Sequence, residues 1–154
     1  MKNRLCLSGI ISLILLSGCG KAGTGLVLYT DGEPIQDGDV VVSMNAPREQ
    51  SQSFTVTFTT TKTEPVKLTF GNWMIYRESD NSEYGATCTP LGLSKEQTVN
   101  SERPLYLVFR TELPTAFDEE HYKLVLHYDK TTLTCHLYDL HVKSYESINW
   151  SDYL

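Results

Sequence analysis

The chain has 154 residues and a mass of 17.4 kDa, a size typical of a single domain. Hydrophobic residues make up 40% and charged residues 21% of it, a balance that excludes a disordered chain and a polytopic membrane protein. Residues 1–18 carry two basic residues and no acid, so the remainder holds 11 basic and 19 acidic residues, a net charge of −8. That charge disfavours nucleic acid and anionic lipid headgroups as partners.

The N-terminus has the pattern of a secretory signal. Lys2 and Arg4 form a short cationic start, and an apolar run of twelve residues follows from Leu5 to Leu16. A membrane-spanning helix needs about 20 apolar residues, so this run is too short to be one. It predicts the hydrophobic region of a cleaved signal peptide, residues 1–18.

The signal ends in the sequence Leu16-Ser17-Gly18-Cys19, which resembles the lipobox of bacterial lipoproteins. The resemblance covers residues 1–19. It implies cleavage before Cys19, a diacylglycerol group on its thiol and an acylated amino group, and therefore a membrane anchor without a transmembrane helix. Gly20 stands where an aspartate would retain an enterobacterial lipoprotein in the inner membrane, which implies the outer membrane. The alternative is an ordinary signal peptide with a chance cysteine.

Residues 19–25 form the predicted lipidated cysteine and a short, glycine-rich tether. With Cys6 removed and Cys19 lipidated, Cys88 and Cys135 remain for the domain. In an oxidising compartment two such cysteines predict a disulfide. A redox or metal role is the alternative, although no Cys-x-x-Cys pair occurs.

Alternation of apolar and polar residues dominates residues 26–145. The clearest runs are Phe54, Val56 and Phe58 between threonines, and Tyr122, Leu124, Leu126 and Tyr128. Each run predicts a half-buried antiparallel strand. The fold class predicted is therefore all-β, a single antiparallel β-sandwich of about seven to nine strands.

The last hairpin allows a register to be predicted. With Asp129–Thr132 as its loop, Leu126 lies opposite Cys135, which then points into the core. After Leu137 the apolar residues move from one set of alternate positions to the other, and this change predicts a β-bulge at Leu137–Tyr138.

The segment Phe117-Asp118-Glu119-Glu120-His121-Tyr122 resembles the acidic turn before strand F of immunoglobulin-like domains. The resemblance implies an immunoglobulin-like sandwich in which the Tyr122 hydroxyl bonds back to the preceding chain. Leu124 departs from the pattern because it stands where antibody domains have a cysteine. The alternative is that Tyr122 is only a core aromatic residue.

All four histidines of the chain fall within 21 residues: His121, His127, His136 and His141. In the predicted register His127 and His136 are diagonal neighbours on the solvent face, which makes them weak candidates for a metal site. The alternative is that they are exposed polar residues of a strand. The acids Asp31, Glu33, Asp37 and Asp39 are expected to be solvated turn residues, because the ligand order of a calcium loop is absent.

No nucleophile elbow, zincin helix or phosphate-binding loop occurs in the sequence, so neither catalytic residues nor a cofactor is predicted. The aromatic C-terminal tail, residues 146–154, contains Trp150 and Tyr153. These two residues are expected either to pack on the sandwich or to form an exposed docking segment.

These features predict a cell-envelope lipoprotein, anchored to the outer membrane through Cys19, that serves as a non-enzymatic protein-binding or assembly module. Its partner is expected to be another envelope protein. Two alternatives remain: an inhibitor or immunity lipoprotein against a wall-degrading enzyme, and a metal- or solute-binding protein of the periplasmic face.

Overall fold

The computed structural model of the chain describes residues 23–30, 32–48, 52–117 and 119–139. The strands are β1 Thr24–Thr30, β2 Ile35–Asp37, β3 Val40–Arg48, β4 Ser53–Thr60, β5 Val66–Arg77, β6 Glu83–Tyr84, β7 Ala86–Thr89, β8 Glu96–Val99, β9 Leu105–Thr111, β10 Tyr122–Tyr128 and β11 Thr131–Asp139. None of the described residues belongs to a helix long and apolar enough to cross a membrane.

The strands form two sheets that pack as a sandwich. The six-stranded sheet has the order β1-β11-β10-β5-β6, with β8 paired to the first half of β5. The five-stranded sheet has the order β2-β3-β4-β9-β7. The predicted all-β sandwich is therefore confirmed. Its described strands number eleven rather than seven to nine, because several short edge strands lack a detectable sequence pattern.

The central strands lie in the order that the immunoglobulin-like resemblance implies. β10 lies between β5 and β11 as strand F lies between C and G, while β4 and β9 pair centrally as B and E, with β7 at the edge as D. One pair departs from the predicted antiparallel arrangement, because β1 runs parallel to β11. β1 also begins at Thr24, so the last two residues of the predicted tether belong to the sheet.

The core follows from the alternation seen in the sequence. Along β4 every second side chain is buried, and the threonines between them are half-buried on the other face. Phe58 lies at the centre, with its ring edge-to-face against Phe70 at 5.3 Å and against Tyr128 at 5.2 Å between centroids. These rings fill the space between the two sheets.

Tyr122, the first residue of β10, is fully buried, and its hydroxyl is hydrogen-bonded to the Thr115 hydroxyl seven residues earlier. Its ring also packs edge-to-face on Phe117 and Tyr84. Tyr122 is therefore a core aromatic residue, and it also closes the turn before β10 as the immunoglobulin-like resemblance implies, through a side chain instead of the backbone.

The register of the last hairpin differs from the prediction by two residues. Tyr128 pairs with Thr131 and Leu126 with Leu133, so the loop is only Asp129 and Lys130. Asp129 adopts φ 46°, a left-handed conformation that aspartate tolerates in two-residue turns. Because the shift is an even number of residues, the predicted inward side chains still face the core.

The irregularity predicted near the end of β11 is found in its pairing with β1. Tyr29 lies opposite His136 and Thr30 opposite Asp139, so Leu137 and Tyr138 fall between two consecutive pairs. Leu137 is buried and Tyr138 is half-buried, so the inward and outward alternation continues and the predicted change of face does not occur at this point.

The two cysteines of the domain correct a further prediction. Cys88 on β7 and Cys135 on β11 are both free and buried, so the expected disulfide is not formed. The Trp73 indole N–H donates to the Ala86 carbonyl at 2.8 Å, which places β7 over β5, and β10 separates β5 from β11. Two strand spacings are about 10 Å, more than the roughly 4.4–6.8 Å between Cα atoms that a disulfide spans.

We expect both thiols to resist alkylation in the folded protein. Burial raises the pKa of Cys88 from its ordinary 9.0 to about 12 and also raises that of Cys135. The reactive thiolate is therefore scarce at neutral pH. Mass spectrometry should show two free thiols that maleimide labels only after unfolding, whereas a cysteine placed at Leu93, which is 92% exposed, should react at once. A mass lower by two hydrogens would contradict the structure.

The raised pKa values of the two thiols also determine how the free energy of unfolding changes at alkaline pH. A neutral buried thiol stabilises the fold fully below the thiol's unfolded pKa, and this contribution is lost as the pH rises toward the folded value. We therefore expect the free energy of unfolding to fall between about pH 9 and pH 12. The fall should be smaller in Cys88→Ala, and an equal fall in that variant would show that the thiol does not contribute.

Candidate functional site: the outer face of the six-stranded sheet

The solvent side of the six-stranded sheet, here called the outer face, carries aligned side chains from four strands. Tyr29 of β1 lies opposite His136 of β11, His136 opposite Lys123 of β10, and Lys123 opposite Tyr76 of β5. The next row towards the β10–β11 turn consists of Val27, Thr134, Val125 and Met74. Both rows follow from strand alternation, which turns these residues away from the core.

One end of the outer face holds four stacked rings, here called the aromatic cluster: Tyr29, His121, His136 and Tyr138. The Tyr29 and His136 rings are 4.8 Å apart and nearly parallel, at 14°. His121 stacks on Tyr138 at 4.2 Å and 24°. His136 and Tyr138 join the two pairs, with 5.3 Å between their centroids.

Glu78, the residue that follows β5, lies against the aromatic cluster. One of its carboxylate oxygens lies 2.9 Å from Nδ1 of His136, and both side chains are mostly buried, with 23% and 16% exposed. Its backbone N–H donates to the His121 carbonyl at 2.9 Å. Burial raises the pKa of Tyr138, and the nearby Glu78 carboxylate raises it further. The aromatic cluster therefore combines stacked rings, a neutral phenol and an imidazole beside a carboxylate.

Beside the aromatic cluster the outer face is shallow and carries apolar side chains around the half-buried Lys123. Val27 is 49% exposed, and Met74, Tyr76 and Val125 are half-buried. A depression of about 160 Å³ lies between Asn72, Trp73, Met74, Tyr76, Val125 and His127. Pockets for small organic ligands are usually about 300–1,000 Å³, so the face suits a broad partner surface better than an enclosed ligand.

A larger, open groove of about 520 Å³ lies at the edge of the five-stranded sheet, along β7 and the end of β9. Its charged side chains, Arg110 and Glu112, are both exposed. The carbonyls of Ala86 and Cys88 on β7 already accept hydrogen bonds from Trp73 and Gly92. This groove therefore offers few preorganised groups to a ligand.

The structure does not bring the predicted metal candidates together. His127 lies opposite Thr132 and His136 opposite Lys123, so the two histidines are four positions apart along the hairpin, about 13 Å. His127 Nδ1 is instead 3.1 Å from the Thr132 hydroxyl. The predicted diagonal contact is wrong because the loop has two residues rather than four. Over the described ranges, no three His, Cys, Asp or Glu side chains converge as metal ligands would.

Asp37 also differs from its prediction as a solvated turn acid. Its carboxylate accepts hydrogen bonds from the Tyr128 hydroxyl at 2.7 Å and the Thr131 hydroxyl at 2.8 Å. These bonds tie β2 of the five-stranded sheet to the last hairpin of the six-stranded sheet. Asp39 does lie at the surface, where it pairs with Lys62 at 2.8 Å.

Three predicted site residues, Cys19, Trp150 and Tyr153, lie outside the described residues, as does His141. Sequence reasoning missed Tyr29, Glu78 and Tyr138 as members of a site. The grouping of histidines near β10 and β11 was a signal. This grouping identifies the aromatic cluster only once the two-residue hairpin loop and the parallel pairing of β1 with β11 are known.

No protein family and no curated relative matches the chain. Among solved structures, the chain is similar to the crystal structure of the yjhA protein from Bacillus subtilis, with a TM-score of 0.41 and 12% sequence identity. The match covers 64% of this chain and 78% of that one. A likeness at this level does not establish a shared family.

Proposed function

We propose that this protein is a lipid-anchored, non-enzymatic protein of the bacterial cell envelope that binds a protein partner through its outer face. The observation that carries the proposal is the aromatic cluster beside exposed apolar side chains on a shallow sheet. Aromatic residues and methionine are enriched in the cores of protein interfaces, where charged residues are depleted.

The aromatic cluster suits binding because its side chains are already ordered. Each of its four rings stacks on another ring of the cluster, and Glu78 fixes His136. Docking on such a surface loses little side-chain entropy, which favours affinity. We propose binding rather than catalysis because the outer face is shallow, with a depression of only about 160 Å³.

The proposed anchor rests on the sequence. Leu16-Ser17-Gly18-Cys19 has every position of a lipobox and follows an apolar run of the right length. Acyl chains on Cys19 would keep the domain at the membrane, with the outer membrane as the proposed location. We place the partner in the same envelope.

Site-specific crosslinking in host cells tests the proposed binding face. A photo-crosslinking amino acid at Val27 or Tyr76 should capture one and the same protein. At Tyr106, which is 55% exposed on the five-stranded sheet, it should capture none of that protein. Val27→Arg should abolish co-purification of that protein at an unchanged melting temperature, while Tyr106→Arg should leave it intact.

Two results would contradict the proposed binding face. One is equal capture of the same protein from position 106, and the other is no capture from either outer-face position. Retained co-purification in Val27→Arg would also argue against this face, because an added cation at an interface core is costly to desolvate.

A further inference from the structure

One end of the sandwich, here called the tether pole, gathers Gly23 and four turns: residues 38–39, 61–65, 100–104 and 129–130. The connections of the strands put them there. The turn 61–65 joins the end of β4 to the start of β5, and the turn 100–104 joins β8 to β9. The Thr61 backbone N–H donates to the Asp39 carbonyl at 3.2 Å, and Asp37 bonds to Tyr128 and Thr131 beside the last turn.

The chain enters the domain at this pole in a fixed position. Thr24 pairs with Thr131 at the start of the parallel β1–β11 ladder. Just before it, Gly23 lies so close to the Lys130 carbonyl that any larger residue would collide with that oxygen. Gly23 is therefore held against the β10–β11 turn, and the described chain begins there.

Only three residues, 20–22, lie between Cys19 and Gly23. Even fully extended, the four steps from Cys19 to Gly23 span at most about 14 Å. We propose that the tether pole is the surface of the domain that faces the bilayer, with phospholipid headgroups as its partner. This inference rests on the proposed lipid anchor at Cys19.

The side chains of the tether pole suit contact with headgroups rather than insertion. Those of its turns are polar or charged except for two prolines, and the charged ones are Asp39, Lys62, Glu64, Glu102, Arg103, Asp129 and Lys130. Acids and bases are nearly balanced among them, so no net attraction to anionic lipid is expected. The short tether would therefore set the orientation, and salt should not change it.

This orientation also determines how far the outer face lies from the membrane. His136 lies five residues beyond Thr131 along β11, about 17 Å from the tether pole. The aromatic cluster would thus stand within about 30 Å of the bilayer, at the end of the domain away from the tether. A partner bound there would approach along the membrane and could itself be membrane-bound.

Fluorescence quenching on vesicles tests the orientation. The acylated full-length protein would be reconstituted in phosphatidylcholine vesicles with a quencher on the headgroup or deep in the acyl chains. A fluorescent amino acid at Lys130 or Thr63, both on the tether pole, should be quenched several-fold more by the headgroup quencher than one at Ser79 or Glu119 on the opposite end. These four positions are all exposed, so the variants are matched.

The acyl-chain quencher should affect none of the four positions, and high salt should leave the pattern unchanged. Equal quenching at both ends, or stronger quenching at Ser79, with the protein still floating with the vesicles, would overturn the orientation alone. Failure of the purified host protein to float with the vesicles would overturn the anchor and the orientation with it.

Discussion

Phe58→Ala should lower the free energy of unfolding by about 3–5 kcal/mol, measured by urea denaturation. Phe58 is fully buried on β4, at the centre of the five-stranded sheet. Its ring touches Phe70 and Tyr128 of the opposite sheet edge-to-face. The strands on either side hold the backbone in place, so the surroundings cannot close the cavity that the alanine leaves.

Tyr106→Ala is the matched control, because it also removes an aromatic ring from a strand of the same sheet. Tyr106 is 55% exposed, so its loss should change the free energy of unfolding by no more than about 0.5 kcal/mol. If the two variants lose equal stability, the assignment of Phe58 to the core and Tyr106 to the surface is wrong.

Asp37→Ala should destabilise the protein by about 2 kcal/mol, since it removes the acceptor of two hydroxyl groups. Tyr128 is 2% exposed, so its hydroxyl would have little access to water as a substitute. Burial raises the pKa of Tyr128, and its bond to the Asp37 carboxylate raises it further. Tyr128 therefore keeps its proton and donates a hydrogen bond to Asp37 throughout the physiological range.

Asp39→Ala, two residues along the chain, is the control for Asp37→Ala. Asp39 pairs with Lys62, and both side chains are about half exposed, so solvent screens the pair and its loss should destabilise the protein much less than Asp37→Ala does. Asp37→Asn keeps an acceptor oxygen and should fall between the two alanine variants. Equal stability of all three variants in urea denaturation would mean that the Asp37 carboxylate does not join the two sheets.

The strands with clean alternation were predictable, since burial on one face imposes a period of two residues. β4 and β10 show this pattern without interruption. β5 does not: Val66, Leu68 and Phe70 alternate with polar residues, and residues 73–76 form a separate apolar run that predicts a second strand. The structure joins the two runs into one strand through Gly71. Gly71 lies against His127, where the pairing of β5 with β10 shifts register. A bulge of this kind depends on the partner strand, which local sequence does not reveal.

The site was less predictable because it depends on pairings between distant segments. Glu78 reaches His136 across β10, and Tyr29 reaches it through a parallel pairing that spans most of the chain. The expected disulfide failed for the same reason, since cysteine spacing does not report which sheet each residue occupies. The two-residue turn at Asp129 was foreseeable in principle, and with it the separation of His127 from His136.

The proposed lipid anchor at Cys19 is tested most directly by the mass of the N-terminal peptide from protein purified from its host's membranes. We expect a peptide that begins at Cys19 and carries a diacylglycerol group and an amide-linked acyl chain. Cys19→Ser should release the protein from the membrane fraction, while Cys6→Ser, in the leader, should leave it there. A peptide that begins at Met1, with an unmodified thiol at position 19, would contradict the anchor.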